Sequence, residues 1–421
     1  MKIVFLTPQQ FDNFSYAHPM HTSYQTSNYG ILMSKYGYDT TYYGFVDNSN
    51  NLVGATLLLT TEFKRNKKYA YAPRGFLIDY DDKNAVRDVT NIFRNYLTTQ
   101  DYVFLKIDPP VVNNKRDHDG NIIPSNYNGK IINILKELDY NYFGDNKFFG
   151  TVKPRWNAIL KITGSSKTIF NNFDRNTKNK IRKAISRGVE VIKGTPFDME
   201  IFYAFVAKKH KRKLDYYKNY AEAFGNKFEI YFAKLDSVTY LRNIKQLYEK
   251  EYENNEKINN LIQTAASNKN VSLKLSNSKI TSNKLMDVYT KELQLATKLL
   301  EKNPNGIIIG TCAVIINPNG VELLIEGFNP NYSLYYPNYL LKWHVIEKYA
   351  KNGALYIDLN AITGYFEKNN KYRGLNEMKL GYNSDVTEYI GEFDLVLNKG
   401  QYKKFNNSKS FNKAVKKQVK H

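Results

Sequence analysis

Residues Tyr38–Phe63 read YDTTYYGFVDNSNNLVGATLLLTTEF. Apolar and polar side chains alternate through Tyr38–Val46, as in a half-buried strand. Asp47–Asn51 is a polar turn, and Leu52–Phe63 returns as a second strand. Downstream, Tyr69–Ile78 is extended and punctuated by Pro73 and Gly75. Asn84–Leu97 has the spacing of an amphipathic helix, and Tyr102–Ile107 is apolar enough for a buried strand. The order is strand, turn, strand, strand, helix, strand.

The same order recurs in the second half. Phe228–Leu235, Gly306–Asn317 and Val321–Phe328 read as strands, with a Pro318-Asn319-Gly320 turn. Pro337–Lys351 reads as a helix and Leu355–Leu359 as a strand. Two copies of one α+β unit account for this. Their order resembles the acyl-coenzyme-A N-acetyltransferase (GNAT-like) fold. The expected fold class is therefore α+β, two tandem GNAT-like units. The first would span 1–150; the second would span 151–236 and 303–400.

The interruption at 237–302 has its own period. Leu241, Ile244, Leu247, Tyr248, Ile258, Leu261, Ile262 and Ala265 mostly follow three- and four-residue steps. Leu285, Val288, Leu295, Ala296 and Leu299 do so after an Asn/Ser-rich break. The expectation is an antiparallel coiled-coil arm, each helix of about 25 residues reaching ~40 Å.

The chain has 421 residues, 42% of them apolar, so it can build a core. Lys and Arg number 61 against 40 acids, a net of +21, which calls for an anionic partner. The charge is concentrated. Arg175–Lys218 holds 13 basic and 4 acidic residues, and the tail 401–421 holds 7 lysines and no acid. Arg175–Arg187 reads as a helix ending at Gly188. Its Lys178, Arg182, Lys183 and Arg187 share a face suited to a phosphate backbone. The single cysteine, Cys312, lies in an apolar run and reads as core. It forms no internal disulfide, which fits a reducing compartment. His18 and His21 lack a third ligand, so no metal is expected. No leader or membrane-spanning run is legible, and a cytoplasmic location is expected.

Several segments together resemble the Fem family of peptidoglycan bridge-forming aminoacyltransferases. They are Ala72-Pro73-Arg74-Gly75-Phe76, Phe104-Leu105-Lys106-Ile107-Asp108-Pro109, Lys153-Pro154-Arg155 and the basic helix leading into Val189-Glu190-Val191. Glu377-Met378-Lys379 and Ile390-Gly391-Glu392-Phe393-Asp394 complete the set, and the resemblance spans about residues 10 to 405. It implies aminoacyl-tRNA as donor and a peptidoglycan precursor as acceptor, either lipid II or the UDP-MurNAc-pentapeptide. It implies no cofactor. Sister transferases and the inner face of the plasma membrane are further conceivable partners.

The chemistry is attack of a lysine amine on an aminoacyl ester. The amine, with a pKa near ~10.4, must lose a proton, and the carbonyl oxygen gains charge. The resemblance puts Lys379 beside the tRNA 3′ end and that oxyanion, with Met378 where an aromatic residue commonly stands. Asp108, at a strand end, is a candidate proton acceptor or orienting group. Tyr102, Arg212 and Tyr216 match positions that contact the precursor, Arg212 being the phosphate ligand. Met33 and Ile325 stand where polar groups of that site are expected, and Lys35 is the nearest substitute cation. These two changes favour a lipid-linked acceptor. Arg175, Lys178, Arg182, Lys183 and Arg187 are the expected tRNA contacts. Two other readings stay open on the sequence: a non-catalytic RNA-binding protein, and an acetyltransferase using acetyl-coenzyme A.

Overall fold

The computed structural model describes residues 1–421 apart from 64–66, 125–128, 149, 210–211, 265–268, 368 and 407–421. Fifteen strands among the described residues form two mixed sheets. The first runs β1 (Lys2–Phe5), β2 (Asp39–Val46), β3 (Leu52–Phe63), β4 (Lys67–Ala72), β5 (Tyr102–Ile107), β15 (Phe393–Val396), β7 (Tyr140–Tyr142). The second runs β6 (Val112–Arg116), β14 (Asp385–Tyr389), β8 (Trp156–Lys161), β13 (Tyr356–Ala361), β12 (Gly320–Phe328), β11 (Ile307–Ile316), β10 (Phe228–Leu235), β9 (Val189–Lys193).

The helices are α1 (Pro8–Ala17), α2 (Ser27–Ser34), α3 (Lys83–Thr99), α4 (Gly129–Glu137), α5 (Ser166–Asn172), α6 (Arg175–Ser186) and α7 (Met199–Val206). They continue with α8 (Leu214–Phe224), α9 (Ser237–Thr264), α10 (Lys269–Lys302), α11 (Pro337–Lys351), α12 (Arg373–Leu380) and α13 (Lys399–Asn406). Several begin where the sequence provides a start. Asp82 caps α3 through the amides of Asn84 and Ala85, and Pro337 occupies the first turn of α11.

The two sheets repeat one pattern of directions. β2–β3 and β3–β4 are antiparallel, and β4–β5 is parallel across α3. β10–β11 and β11–β12 are antiparallel, and β12–β13 is parallel across α11. A parallel pair needs a crossover, which explains a helix at the same point of each half.

The sheets do not divide at residue 150. β6 leaves the first half to pair with β14 of the second sheet. β15, near the C-terminus, inserts between β5 and β7 of the first. Both exchanges are long-range pairings that no local period encodes. A shared cluster holds the halves together: Phe11, Tyr29, Leu57 and Tyr71 pack with Phe202, Tyr216, Tyr220, Phe232 and Ile325.

The interruption forms two helices, α9 and α10, packed antiparallel. Tyr240 reaches Glu292, Glu251 reaches Ser282, and Asn255 reaches Ser282 and Asn283. Of the basic tail, 401–406 belong to α13, whose Phe405 and Tyr402 pack on Phe104 of β5. The rest of it lies outside the described residues. Cys312 is fully buried in β11. Among the described residues no helix is long and apolar enough to cross a membrane.

Candidate active site

Because β4 and β5 are parallel, with Ala72 beside Ile107, the residues that follow them emerge together. Arg74 and Asp108 therefore meet. The Arg74 amide donates to Asp108 Oδ1 at 2.7 Å, and Tyr71 Oη donates to Oδ2 at 3.1 Å. The Arg74 guanidinium lies 3.8 Å from Oδ2, donates to Pro154 O at 2.6 Å and covers the Tyr389 ring. Arg74 has φ +54°, a region unfavourable for a side chain, and the bond to Asp108 helps hold it there. Asp108 is 1% exposed. Burial raises its pKa above the usual carboxylate value, while Arg74 pulls it down.

Lys153 stands beside this pair. Its Nζ donates to Tyr29 Oη at 3.0 Å and lies 3.7 Å from the Tyr24 ring centroid. Burial lowers its pKa to about 7; Asp108 opposes that shift, and Arg212 and Arg74 add to it. Arg212 lies 4.2 Å above the Tyr216 ring, and its buried Nε has no hydrogen-bond partner among the described residues. Asp108, Arg212 and Tyr216 thus belong to one polar wall with Arg74, Lys153, Tyr24 and Tyr29. In the sequence, Lys153 is legible only as part of Lys153-Pro154-Arg155. Its signal was a lysine placed between Val152 and Pro154, just before a strand.

The second cluster surrounds α12. Lys379 lies in its last turn and is buried at 7% exposure. Its Nζ donates to Ala361 O at 2.7 Å. Burial lowers its pKa to about 7 against the pull of Glu326, and Lys342 adds to the lowering. Lys342 and Glu326 form a buried ion pair. Asn338 Nδ2 lies 2.8 Å from Met378 Sδ, so Met378 packs against α11. Asp358, which accepts from Asn157 and from the Asn360 amide, feels both Lys379 and Arg74. It links the two clusters electrostatically.

The basic helix α6 starts against α12: the Asp174 amide donates to Gly381 O at 2.9 Å. A Cβ on Gly381 would overlap Thr177, so glycine is what lets the helices touch. Thr177, Ile181 and Ala184 turn inward, leaving Arg175, Arg182 and Lys183 exposed. Lys178 bonds Asn171 O at 2.8 Å, and Arg182 covers Phe170. Between α6 and α12 lies a groove of about 580 Å³ lined by Asn176, Lys180, Tyr339, Arg373 and Asn376, among others.

Three expected residues stand elsewhere. Tyr102 opens β5, roughly 20 Å from Asp108 by strand rise. Its hydroxyl pairs with Thr60 Oγ1 at 2.9 Å, and its ring sits in the core of the first sheet. Lys35 caps α2 and pairs with Glu222 of α8 at 2.6 Å, because it follows the helix turn that points outward. Arg187 lies one residue beyond α6 and is not an exposed member of its basic face. It grips Glu292 of α10 with Nε and Nη2, and its Nη1 donates to Leu334 O. Met33 and Ile325 are buried in the cluster that contains Tyr29 and Tyr216. Beside Arg212, Lys213 is exposed, and Lys211 lies outside the described residues.

Two mixed sheets flanked by helices thus enclose buried lysines and carboxylates. The chain belongs to the FemAB family, whose sequence profile matches residues 6–410. It is 25% identical over 429 residues to aminoacyltransferase FemA of Staphylococcus epidermidis, covering 98% of this chain and 100% of that one. It is 24% identical over 413 residues to FemA of Staphylococcus aureus strain N315, covering 96% and 97%. The crystal structure of FemX superposes with a TM-score of 0.73 at 20% identity, covering 96% of this chain and 99% of that one, so the fold is shared. The protein is an aminoacyltransferase.

Proposed function

We propose that this enzyme carries an amino acid from aminoacyl-tRNA to the stem-peptide lysine amine of a peptidoglycan precursor. The transferred residue is glycine, with alanine or serine as the alternative, and the acceptor is lipid-linked. The observation that carries the reading is the line from Lys379 through Asp358 and Arg74 to Asp108, Lys153 and Arg212. One end adjoins a basic helix suited to RNA phosphate, and the other has cations suited to a diphosphate. Whole-length similarity to proteins named aminoacyltransferase FemA supports it.

In this reading two acetyltransferase-like units share the work, and α9 with α10 is a coiled-coil arm. The repeated strand directions support the first point. The exposed Arg175, Arg182 and Lys183, with Lys178 beside them, hold the tRNA, and Met378 lies near its 3′ end. Lys379 becomes fully protonated when the oxyanion forms, because a new anion raises a lysine pKa that burial has lowered. Asp108 is a positioning group: both oxygens already hold Arg74 and Tyr71. Lys153 supplies the cation that Met33 does not. Incubating the protein with a panel of charged tRNAs and either precursor, then weighing the product, tests the reading. A mass gain of one glycine on lipid-linked precursor is expected; no gain with any pair would overturn it.

A further inference from the structure

α10 has two faces of different character. Leu275, Lys279, Ser282, Met286, Tyr289, Leu293 and Ala296 are among its less exposed positions, in steps of four and three residues. Lys279 and Ser282 bond to Asn255 of α9, so this face is the contact with α9. On the opposite side, Leu273, Ile280, Val288 and Leu295 are 67%, 52%, 48% and 53% exposed. At about 100° per residue these four fall within an arc of roughly 80°. Lys284, Lys291 and Lys298 lie in the same arc, all exposed and seven residues apart. Asp287 is the acid at its margin. The stripe from Leu273 to Leu295 is about 33 Å long.

We propose that this outer face of α10 is a docking surface for an anionic lipid bilayer. Charge and composition choose the occupant. An RNA backbone rewards the lysines and leaves four aliphatic side chains in water. A partner helix rewards the aliphatics and meets a row of like charges at its seam. The headgroup boundary of an anionic membrane takes both: aliphatics enter the acyl edge while lysines reach the phosphates. The surface is separate from the groove beside α12, and the inference holds whichever precursor is the acceptor.

Flotation of the full-length protein with vesicles tests this. Binding to phosphatidylcholine–phosphatidylglycerol vesicles is expected, with at least tenfold weaker binding to phosphatidylcholine alone. Both K284E/K291E/K298E and L273S/I280S/V288S/L295S should lower binding to the mixed vesicles about tenfold, with unchanged helix content by circular dichroism. The basic segment 407–421 is common to all three proteins and cancels from the comparison. As a second measurement, the emission of the single variant I280W should be quenched by brominated phosphatidylglycerol beyond that of the parent. Equal vesicle binding by parent and both variants, with no extra quenching, would overturn the proposal. So would loss of tRNA affinity in the lysine variant with vesicle binding intact, which would mark the face as an RNA surface. Dissociation of a dimer by the aliphatic variant alone, with vesicle binding unchanged, would mark it as a protein interface.

Discussion

Lys153 Nζ reaches Tyr29 Oη at 3.0 Å, one helical turn ahead of Met33 on α2. A cation is thereby delivered to the face of α2 that Met33 occupies, from a segment more than a hundred residues away. If Lys153 binds precursor phosphate, Lys153→Met should raise KM for the precursor about tenfold or more and leave kcat within a few fold. Lys153→Arg should recover part of the loss. Steady-state kinetics with varied precursor read this directly, and an unchanged KM in Lys153→Met would exclude the role.

Lys379 carries the chemical step in the proposed mechanism. Lys379→Ala should reduce transfer by ~10²–10³-fold, the usual effect of removing one donor to an oxyanion. Binding of charged tRNA should change only a few fold, because the exposed cations of α6 remain. Single-turnover transfer and filter binding separate the two. Equal losses in both would make Lys379 a tRNA ligand alone.

The buried lysines also predict how stability depends on pH. Lys153 and Lys379 titrate near about 7 in the fold and near 10.5 when unfolded. Between those values the unfolded chain holds protons that the native protein has released, so these groups make stability rise with pH. Below about 7 both states are protonated and the contribution is flat. Thermal melts from pH 7 to 9 should show a shallower rise for Lys379→Met than for the parent. An identical slope would contradict a lowered pKa at Lys379.

Arg187 and Glu292 tie the end of α6 to the arm through a half-buried, two-pronged ion pair. A double-mutant cycle with Arg187→Ala and Glu292→Ala should give a coupling of about 1 kcal/mol in denaturant unfolding. Small-angle scattering should show a broader range of arm positions in either single variant. Additive effects of the two substitutions would mean the pair does not hold the arm.

What could be read from the sequence followed how local the determining forces are. β3, β5, β10 and α11 were placed to the residue, because their period or a leading proline fixes them. The basic helix is legible to within one residue, and Asp108 and Arg212 stand out as candidates because one ends a strand and the other is a planar cation. The burial of Lys379 is not legible in the sequence: a lysine reads as surface until the fold sets its Nζ against Ala361 O and near the Glu326–Lys342 pair. Tyr102 misled for the converse reason, since an aromatic strand start looks alike whether it packs or binds. The ion pair that removes Arg187 from the basic face depends on Glu292, far along the chain, and no spacing rule reaches it.

The placement of β15 sets an order of events during synthesis. As the ribosome delivers the chain, β5 and β7 emerge in its first half, yet the strand that joins them is made near the end. Until residue 396 leaves the tunnel, the first sheet has an unfilled gap with two open edges, a hazard for misassociation. The N-terminal half is therefore not a self-sufficient piece. A chain stopped at 390 would lack the strand that pairs with both neighbours.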